Sequence, residues 1–278
     1  MGKRLRDEGY PTDLTDEQWA VLAPLLARRG GPGRPPTVSL RAVVNALLYM
    51  ARAGCPWRLL PHEFPHWTAV RYYFDKWTAD GTWAEVNRRL VEQAREQRGR
   101  AGQPTAAIID SQSSKTIEAG GERGFDGEKK VQGRKRHYLV DTHGHLLAAL
   151  VERADIADRA GARWVFRAID HHWTALAKVW ADQAYNGDLA EWLRAVYGID
   201  LEVVERAPDQ KGFTVLPRRW VVERTIAWLG RNRRLSKDYE HSGAAMETWC
   251  YLASISLLLR RLRPNRYAAI PYWRKLIA

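Results

Sequence analysis

Three carboxylates stand inside three separate apolar runs of this chain: Asp110 in AAIIDSQS, Asp182 in AKVWADQAY and Glu223 in RRWVVERTIAWLGRNRRL. The first two runs read as short buried strands with an acid at or near the end, where open α/β sheets place their sites. The third reads as a helix. Phosphodiester chemistry at neutral pH needs a nucleophile made from water or a 3′-hydroxyl, and relief of charge on the leaving oxygen. Two divalent ions about 3.5–4 Å apart do both. Magnesium keeps several waters and accepts few carboxylates, so three acids from three elements are enough. Taken singly, either aspartate would serve equally well as a turn or cap residue. Together, in a chain of formal net charge +12, the three acids point to metal-dependent cutting or joining of nucleic acid.

Glu223 allows a sharper reading. On a helix from about 218 to 235, at 100° per residue, Val221, Val222, Thr225, Trp228 and Leu229 fall opposite it. Arg219, Gly230 and Arg234 fall within about 40° of it. A solvated Glu223–Arg219 pair would draw the same wheel. Seven basic residues between Arg218 and Lys237, with Glu223 the lone acid among them, favour a phosphate-facing surface that includes Arg219, Arg231 and Arg234.

The elements that must position these acids follow from pattern. The first hundred residues read as helical. LTDEQWAVLAPLL offers Thr15 as an N-cap with Gln18 three residues on, and a basic Gly/Pro cluster at 28–36 then breaks the chain. SLRAVVNALLYMARAGC carries one apolar stripe and ends at Gly54. HWTAVRYYFDKW buries Val70, Phe74 and Trp77 and leaves Arg71, Tyr72, Asp75 and Lys76 outside. Two helices joined by a Pro-rich turn, the second with basic and aromatic surface groups, are similar to a helix-turn-helix DNA reader. A plain helical bundle is the alternative. A further helix over 82–98 runs into RGRAGQP, which marks a boundary between a helical domain, 1–100, and a second domain, 101–278. There the spacing predicts strands over 106–112, 134–154 (two, turning at Gly144), 176–185 and 200–207, and helices over 158–169 and 187–198. The result is an α/β fold, a mixed sheet flanked by helices. Residues 244–262, interrupted by Glu247, Arg260 and Arg261, read as a core helix.

A pI near 9.9 implies an acidic partner. Nucleic acid is preferred to membrane, because no uncharged apolar run reaches the roughly 18 residues needed to span. The N-terminus lacks a signal-peptide pattern, and a reduced cytoplasmic setting is expected for Cys55 and Cys250, which read as small core residues. Arginine supplies 34 of the 44 basic residues, and its planar fork suits phosphate, although a G- and C-rich genome gives the same bias. A second basic run, KKVQGRKRH, offers Lys129, Lys130, Arg134, Lys135 and Arg136 to a DNA channel or, equally, to a solvated hairpin edge. His143, His145, His171 and His172 read as surface residues, without metal-ligand spacing. Trp57, Trp67 and Trp220 are candidates for contact with unstacked bases.

The blocks DSQSSKT, GFDGEKKVQGRKRHYLVDTHG, VWADQAY and RRWVVERTIAWLGRNRRLSKDYE, in that order, resemble those of bacterial insertion-sequence transposases of the DDE class. The group is the one named after insertion sequence five. LTDEQWAVLAPLL and GCPWRLLPHEFPHWTAVRYYFDKW resemble the helical DNA-binding region of the same group. The resemblance implies an RNase H-like catalytic domain with Asp110, Asp182 and Glu223 as the metal-binding triad, and Mg2+ (two ions, with Mn2+ able to substitute) as cofactor. It also implies cut-and-paste movement of DNA through terminal inverted repeats, by a homodimer or higher multimer in a bacterial, nucleoid-associated setting. Wider relatives carry tyrosine, arginine, glutamate and lysine around the third acid. Here Arg219 and Glu223 fit, whereas Leu216 and Gly230 replace the tyrosine and lysine, with Arg231 or Arg234 as substitutes for the latter. Two rivals are a nuclease of the same fold that does not join strands, and a DNA-binding regulator without catalysis.

Overall fold

The computed structural model describes residues 9–26, 38–118, 121–204 and 219–264. The Gly/Pro cluster at 28–36, Leu216, Arg218 and the last residues of the strand expected over 200–207 lie outside these.

The amino-terminal region is all-helical: α1 (Asp16–Leu26), α2 (Leu40–Ala53), α3 (Trp67–Ala79) and α4 (Thr82–Glu96). Local chemistry sets the ends. Thr15 and Gln18 form the expected reciprocal cap, the Thr15 hydroxyl accepting from the Gln18 amide at 3.2 Å and the Gln18 side chain from the Thr15 amide at 3.3 Å. Ser39 caps α2, and Gly54 closes it at φ 74°, a left-handed conformation that glycine adopts without a steric cost. Residues 54–66, which hold a single 3-10 turn at Trp57–Leu59, connect α2 to α3. That connection is longer than the three or four residues of a helix-turn-helix.

The second region is built on a sheet of β1 (Ala106–Lys115), β2 (Gly124–Asp126), β3 (Val131–Asp141), β4 (Leu146–Arg153), β5 (Lys178–Ala181) and β6 (Asp200–Val203). Across the sheet the order is β4, β3, β1, β5, β6, with β2 also on β3. β3 is antiparallel to both β4 and β1, while β1, β5 and β6 run parallel. A three-strand meander followed by two parallel strands brought back through helices is the RNase H-like arrangement. Helices α5 (Asp158–Ile169), α6 (Leu189–Tyr197), α7 (Trp220–Leu229) and α8 (Gly243–Leu262) complete it.

Element limits differ from the sequence expectation in informative ways. β1 runs on to Lys115, because β3 pairs with it from Ala107 to Lys115 although SQSSK shows no apolar alternation. β5 ends at Ala181, and Gln183–Tyr185 forms a 3-10 turn capped by Asp182. α7 stops at Leu229, where Gly230 and Asn232 end it, so Arg234 does not share a helix with Glu223.

β4 is an edge strand whose outward backbone groups are met by side chains rather than by another strand. Tyr251 Oη accepts from the Ala149 amide at 3.2 Å, and Glu247 accepts from the Val151 amide at 2.8 Å. Trp173 donates to the Leu147 carbonyl at 3.2 Å. Two of these three caps come from α8. The same helix packs on α1 to α4, and one buried apolar cluster runs from Leu14 to Leu262 across the break at 98–104.

Candidate active site

Asp110 and Asp182 are placed by strand register. β1 and β5 pair in parallel, Ala106 with Lys178 through Ile108 with Trp180, so continuing the register sets Asp110 level with Asp182. Asp110 is therefore mid-strand and not at or near a strand end, the expected place, yet it lies where the parallel pairing stops and β1 has an open side. Side chains alternate along a strand, which puts Ile108, Asp110, Trp180 and Asp182 on one face. α7 contributes Glu223. Val221, Val222, Thr225 and Leu229 are buried beneath it, as the wheel predicts, and Trp228 is half-buried.

The three acids converge on one guanidinium. Arg219 Nη2 lies 3.3 Å from Asp182 Oδ2, 3.7 Å from Glu223 Oε1 and 4.0 Å from Asp110 Oδ2. Side-chain exposures are 15% for Asp110 and Arg219, 29% for Asp182 and 49% for Glu223, so the cluster opens towards solvent on the Glu223 side. Burial pushes the Asp110 carboxyl up to about 6 and the nearby Asp182 adds to this, against the Ser111 amide, Arg219 and Lys129. The amide of Ser111 donates to Asp110 Oδ1 at 2.7 Å. On the other face of β1, the Ser111 hydroxyl donates to Asp158 at the start of α5, at 2.9 Å.

Among the described residues no three carboxylate, imidazole or thiolate side chains form a ready group for a metal. The donor set nevertheless fits one. Carboxylates from three elements, all hard oxygen donors, are held against one shared positive charge, and burial, with Asp182 adding to it, drives one of them towards protonation. That chemistry suits Mg2+ or Mn2+ better than a softer ion.

The expected basic shell divides in two. Lys129 and Lys130 are exposed on the β2–β3 turn, and Lys129 Nζ reaches to 3.5 Å from the Ser111 carbonyl, beside Asp110. Arg231 is also exposed. In contrast, Arg134, Lys135, Arg136 and Arg234 are buried and bonded within the protein, which corrects their reading as DNA contacts. Arg134 donates to the carbonyls of Glu122, Glu240 and His241 and to Asp238. Lys135 pairs with Asp158 at 2.9 Å. Arg136 donates to the carbonyls of Leu235 and Lys237, and Arg234 binds Glu240 and the Cys55 carbonyl. Buried cations whose bonds run to acceptors inside the protein are not open to a phosphate. Arg71 forms a salt bridge with Asp75 over Trp57, and Lys76 is half-buried in the last turn of α3. Trp57 packs in the aromatic cluster with Phe74 and Trp249, and Arg58 lies over Trp67. Trp220 is 43% exposed. His145, expected at the surface, is buried against Asp141, whereas His171 and His172 are exposed.

Sequence reasoning assigned no role to Arg98 and Arg100, counted Arg224 only within the basic run 218–237, and took Arg261 only as an interruption of the core helix. The one available signal was the spacing of Trp220, Arg224 and Trp228 along α7, which places them one turn apart.

Comparison with known proteins agrees with this geometry. Residues 14–87 match a family described as "Putative transposase of IS4/5 family", and residues 101–259 match the family "Transposase DDE domain". Two relatives come from Burkholderia cepacia. One, "Insertion element IS402 uncharacterized 16.2 kDa protein", is 32% identical over 120 residues, covering 40% of this chain and 78% of the relative. The other, "Putative transposase for insertion sequence element IS402", is 30% identical over 139 residues, covering 46% of this chain. "Uncharacterized protein y4sN" of Sinorhizobium fredii (strain NBRC 101917 / NGR234) is 31% identical over 81 residues, covering 29% of this chain. The chain spans 65% of the length of each of the last two, just under two thirds.

Proposed function

The chain belongs to the family of transposase DDE domains, an insertion-sequence family of DNA-cutting and DNA-transferring enzymes, and from that premise we propose that it moves its own element by cut-and-paste transposition. It would bind the element's terminal inverted repeats, release a 3′-hydroxyl at each end and join it to target DNA. The observation that carries this reading is the convergence of Asp110, Asp182 and Glu223 on one point, from two parallel strands and a helix.

Asp110, Asp182 and Glu223 would hold two divalent ions, Mg2+ by preference, with Mn2+ able to replace it. When bound, such ions supply a deprotonated nucleophile and neutralise charge on the leaving oxygen. The protein's own part is positioning and charge. Asp110 is fixed by the Ser111 amide on one side and by the β1–β3 pairing on the other. Arg219 balances the crowded carboxylates in the free protein and, released from them, carries a cation to the substrate phosphate. Lys129, beside Asp110, Lys130 on the same turn and exposed Arg231 would bind the DNA backbone. Arg71 and Lys76 on α3 would do so for the amino-terminal helices. Assembly as a dimer or higher multimer brings two element ends together, in the bacterial cytoplasm at the nucleoid. Among the described residues no helix is long and apolar enough to cross a membrane.

The test is nicking and strand transfer on a supercoiled plasmid carrying the element ends, with magnesium. Asp110→Asn is expected to lower both by at least about a thousandfold while leaving binding to the ends in EDTA intact. Cleavage at the wild-type rate by that variant would overturn the assignment. Nicked products without joined ones from the wild type would show a nuclease instead.

A further inference from the structure

Four arginines, Arg98, Arg100, Arg224 and Arg261, come together from three parts of the chain. Arg98 follows α4 and, with Ala94, Gln97, His145, Arg261 and Leu262, lines a cavity of about 150 Å³. His145 is 1% exposed. Its Nδ1 lies 3.1 Å from Asp141 Oδ2, and Arg95 holds that carboxylate at 2.6 Å. The other ring nitrogen, Nε2, is buried without a hydrogen-bond partner. With Nδ1 turned to Asp141, Nε2 is the nitrogen left for the cavity, without a partner inside the protein.

The surroundings are cationic and aromatic. The Arg224 guanidinium lies 4.4 Å from the ring centre of Trp220 and 4.5 Å from that of Trp228, and Arg261 lies 4.8 Å from the same Trp228 ring. Burial, then Arg98 and Arg224, lowers the pKa of Arg261 against the Asp141 carboxylate, and burial, with Arg100 and Arg98 adding to it, lowers that of His143 against the same carboxylate. Among the described residues, no carboxylate stands within ion-pair distance of Arg98, Arg100, Arg224 or Arg261. Arginine is also what a helix carboxyl end attracts, which accounts for Arg98 and Arg261 alone. It does not bring in Arg224 from α7, nor explain a buried imidazole nitrogen left without a partner.

We propose that this cavity is a phosphate site, formed by Arg98, Arg261 and His145, and that it takes a backbone phosphate of the DNA being processed at the carboxylates. The proposal rests on the DNA-transposing reading above. DNA is favoured over a free anion because the basic surface continues past the cavity through Arg224 and Arg100 to the exposed indole of Trp220, more than a single anion needs. Arg224 also follows Glu223 on α7, so one rigid helix joins this site to the third acid.

The experiment measures binding of a short DNA duplex to the full chain in EDTA across a salt series, which removes catalysis from the readout. Arg98→Gln, Arg261→Gln and the double variant are compared with the wild type and with Arg167→Gln on α5, a control for loss of one surface charge. One lost phosphate contact lowers the log–log salt slope by about 0.9. The double variant is expected to show that drop and to bind about five- to tenfold more weakly, while Arg167→Gln retains the wild-type slope. Exposed Arg98 makes its variant safe for folding, checked by an unchanged thermal melt. Equal slopes and affinities for the double variant and wild type would overturn the proposal. Millimolar inorganic phosphate separates the sources. Phosphate that stabilises only the wild type, beside unchanged duplex binding, identifies a free-anion site and rejects the DNA contact. A wild type that does not bind duplex at all would instead bring down the transposition reading itself.

Discussion

Glu247→Gln isolates the energetic cost of a half-buried carboxylate that serves the sheet. Glu247 Oε1 accepts from the Val151 amide on the outer edge of β4. Burial pushes its carboxyl from 4.5 up to about 7, opposed by that amide alone. Glutamine keeps the acceptor and the shape and removes the ionisation. A carboxyl moved from 4.5 to about 7 corresponds to about 3 kcal/mol. The folded protein holds this proton more tightly than the unfolded chain. The stability the group contributes is therefore complete below its unfolded value and is lost as pH rises through about 7. Stability of the glutamine variant relative to wild type should climb between about pH 4.5 and about pH 7, then level off some 3 kcal/mol above its acid value. Urea unfolding of both proteins across this range reads the difference directly, from midpoint shifts at constant slope. A difference that stays flat with pH would refute the claim that Glu247 is desolvated against β4.

Two further outcomes test the carboxylate cluster and the corrected arginines. Arg219→Gln removes a neighbour that lowers Asp110, so the Asp110 carboxyl should titrate still higher than about 6 in metal-free protein, followed by carboxyl-carbon NMR. An unchanged or lower value would show that the guanidinium does not sit among the acids. Arg134→Gln leaves Asp238 buried without its cation and should cost about 3–5 kcal/mol in urea unfolding. The salt slope of DNA binding should not change in that variant, and a shallower slope would restore Arg134 to the DNA surface.

Much of this fold was legible because local pattern and tertiary demand agree. The helix at 158–169, the hairpin turning at Gly144, the cap at Thr15 and the helix stop at Gly54 depend on residues a few positions apart. The second half of β1 was not legible, since SQSSK becomes strand only through its long partner β3. Asp110, Asp182 and Glu223 were found as acids in apolar runs, and they do converge on one point. The guanidinium of Arg219 at that point was foreseen as a neighbour of Glu223, but its reach to both aspartates depends on strand register. Burial misled the reading of the GRKRH run. Charge in sequence suggests solvent, yet Arg134, Lys135 and Arg136 meet carbonyls and carboxylates contributed by loops up to 107 residues away. No window of sequence contains those partners.

The capped edge of β4 sets an order on synthesis. Tyr251 guards Ala149 from 102 residues further along the chain, so a growing polypeptide has its meander complete well before anything shields that edge. Until α8 emerges, the outward amides of Ala149 and Val151 offer a template to any extended segment nearby. A frameshift or premature stop ahead of Gly243 would therefore yield no smaller working fragment. It would leave a core without one of its walls and a strand ready to pair with its own copies. The last described helix thus acts as a seal of completeness, and a truncated product is marked for aggregation or proteolysis before it can reach DNA.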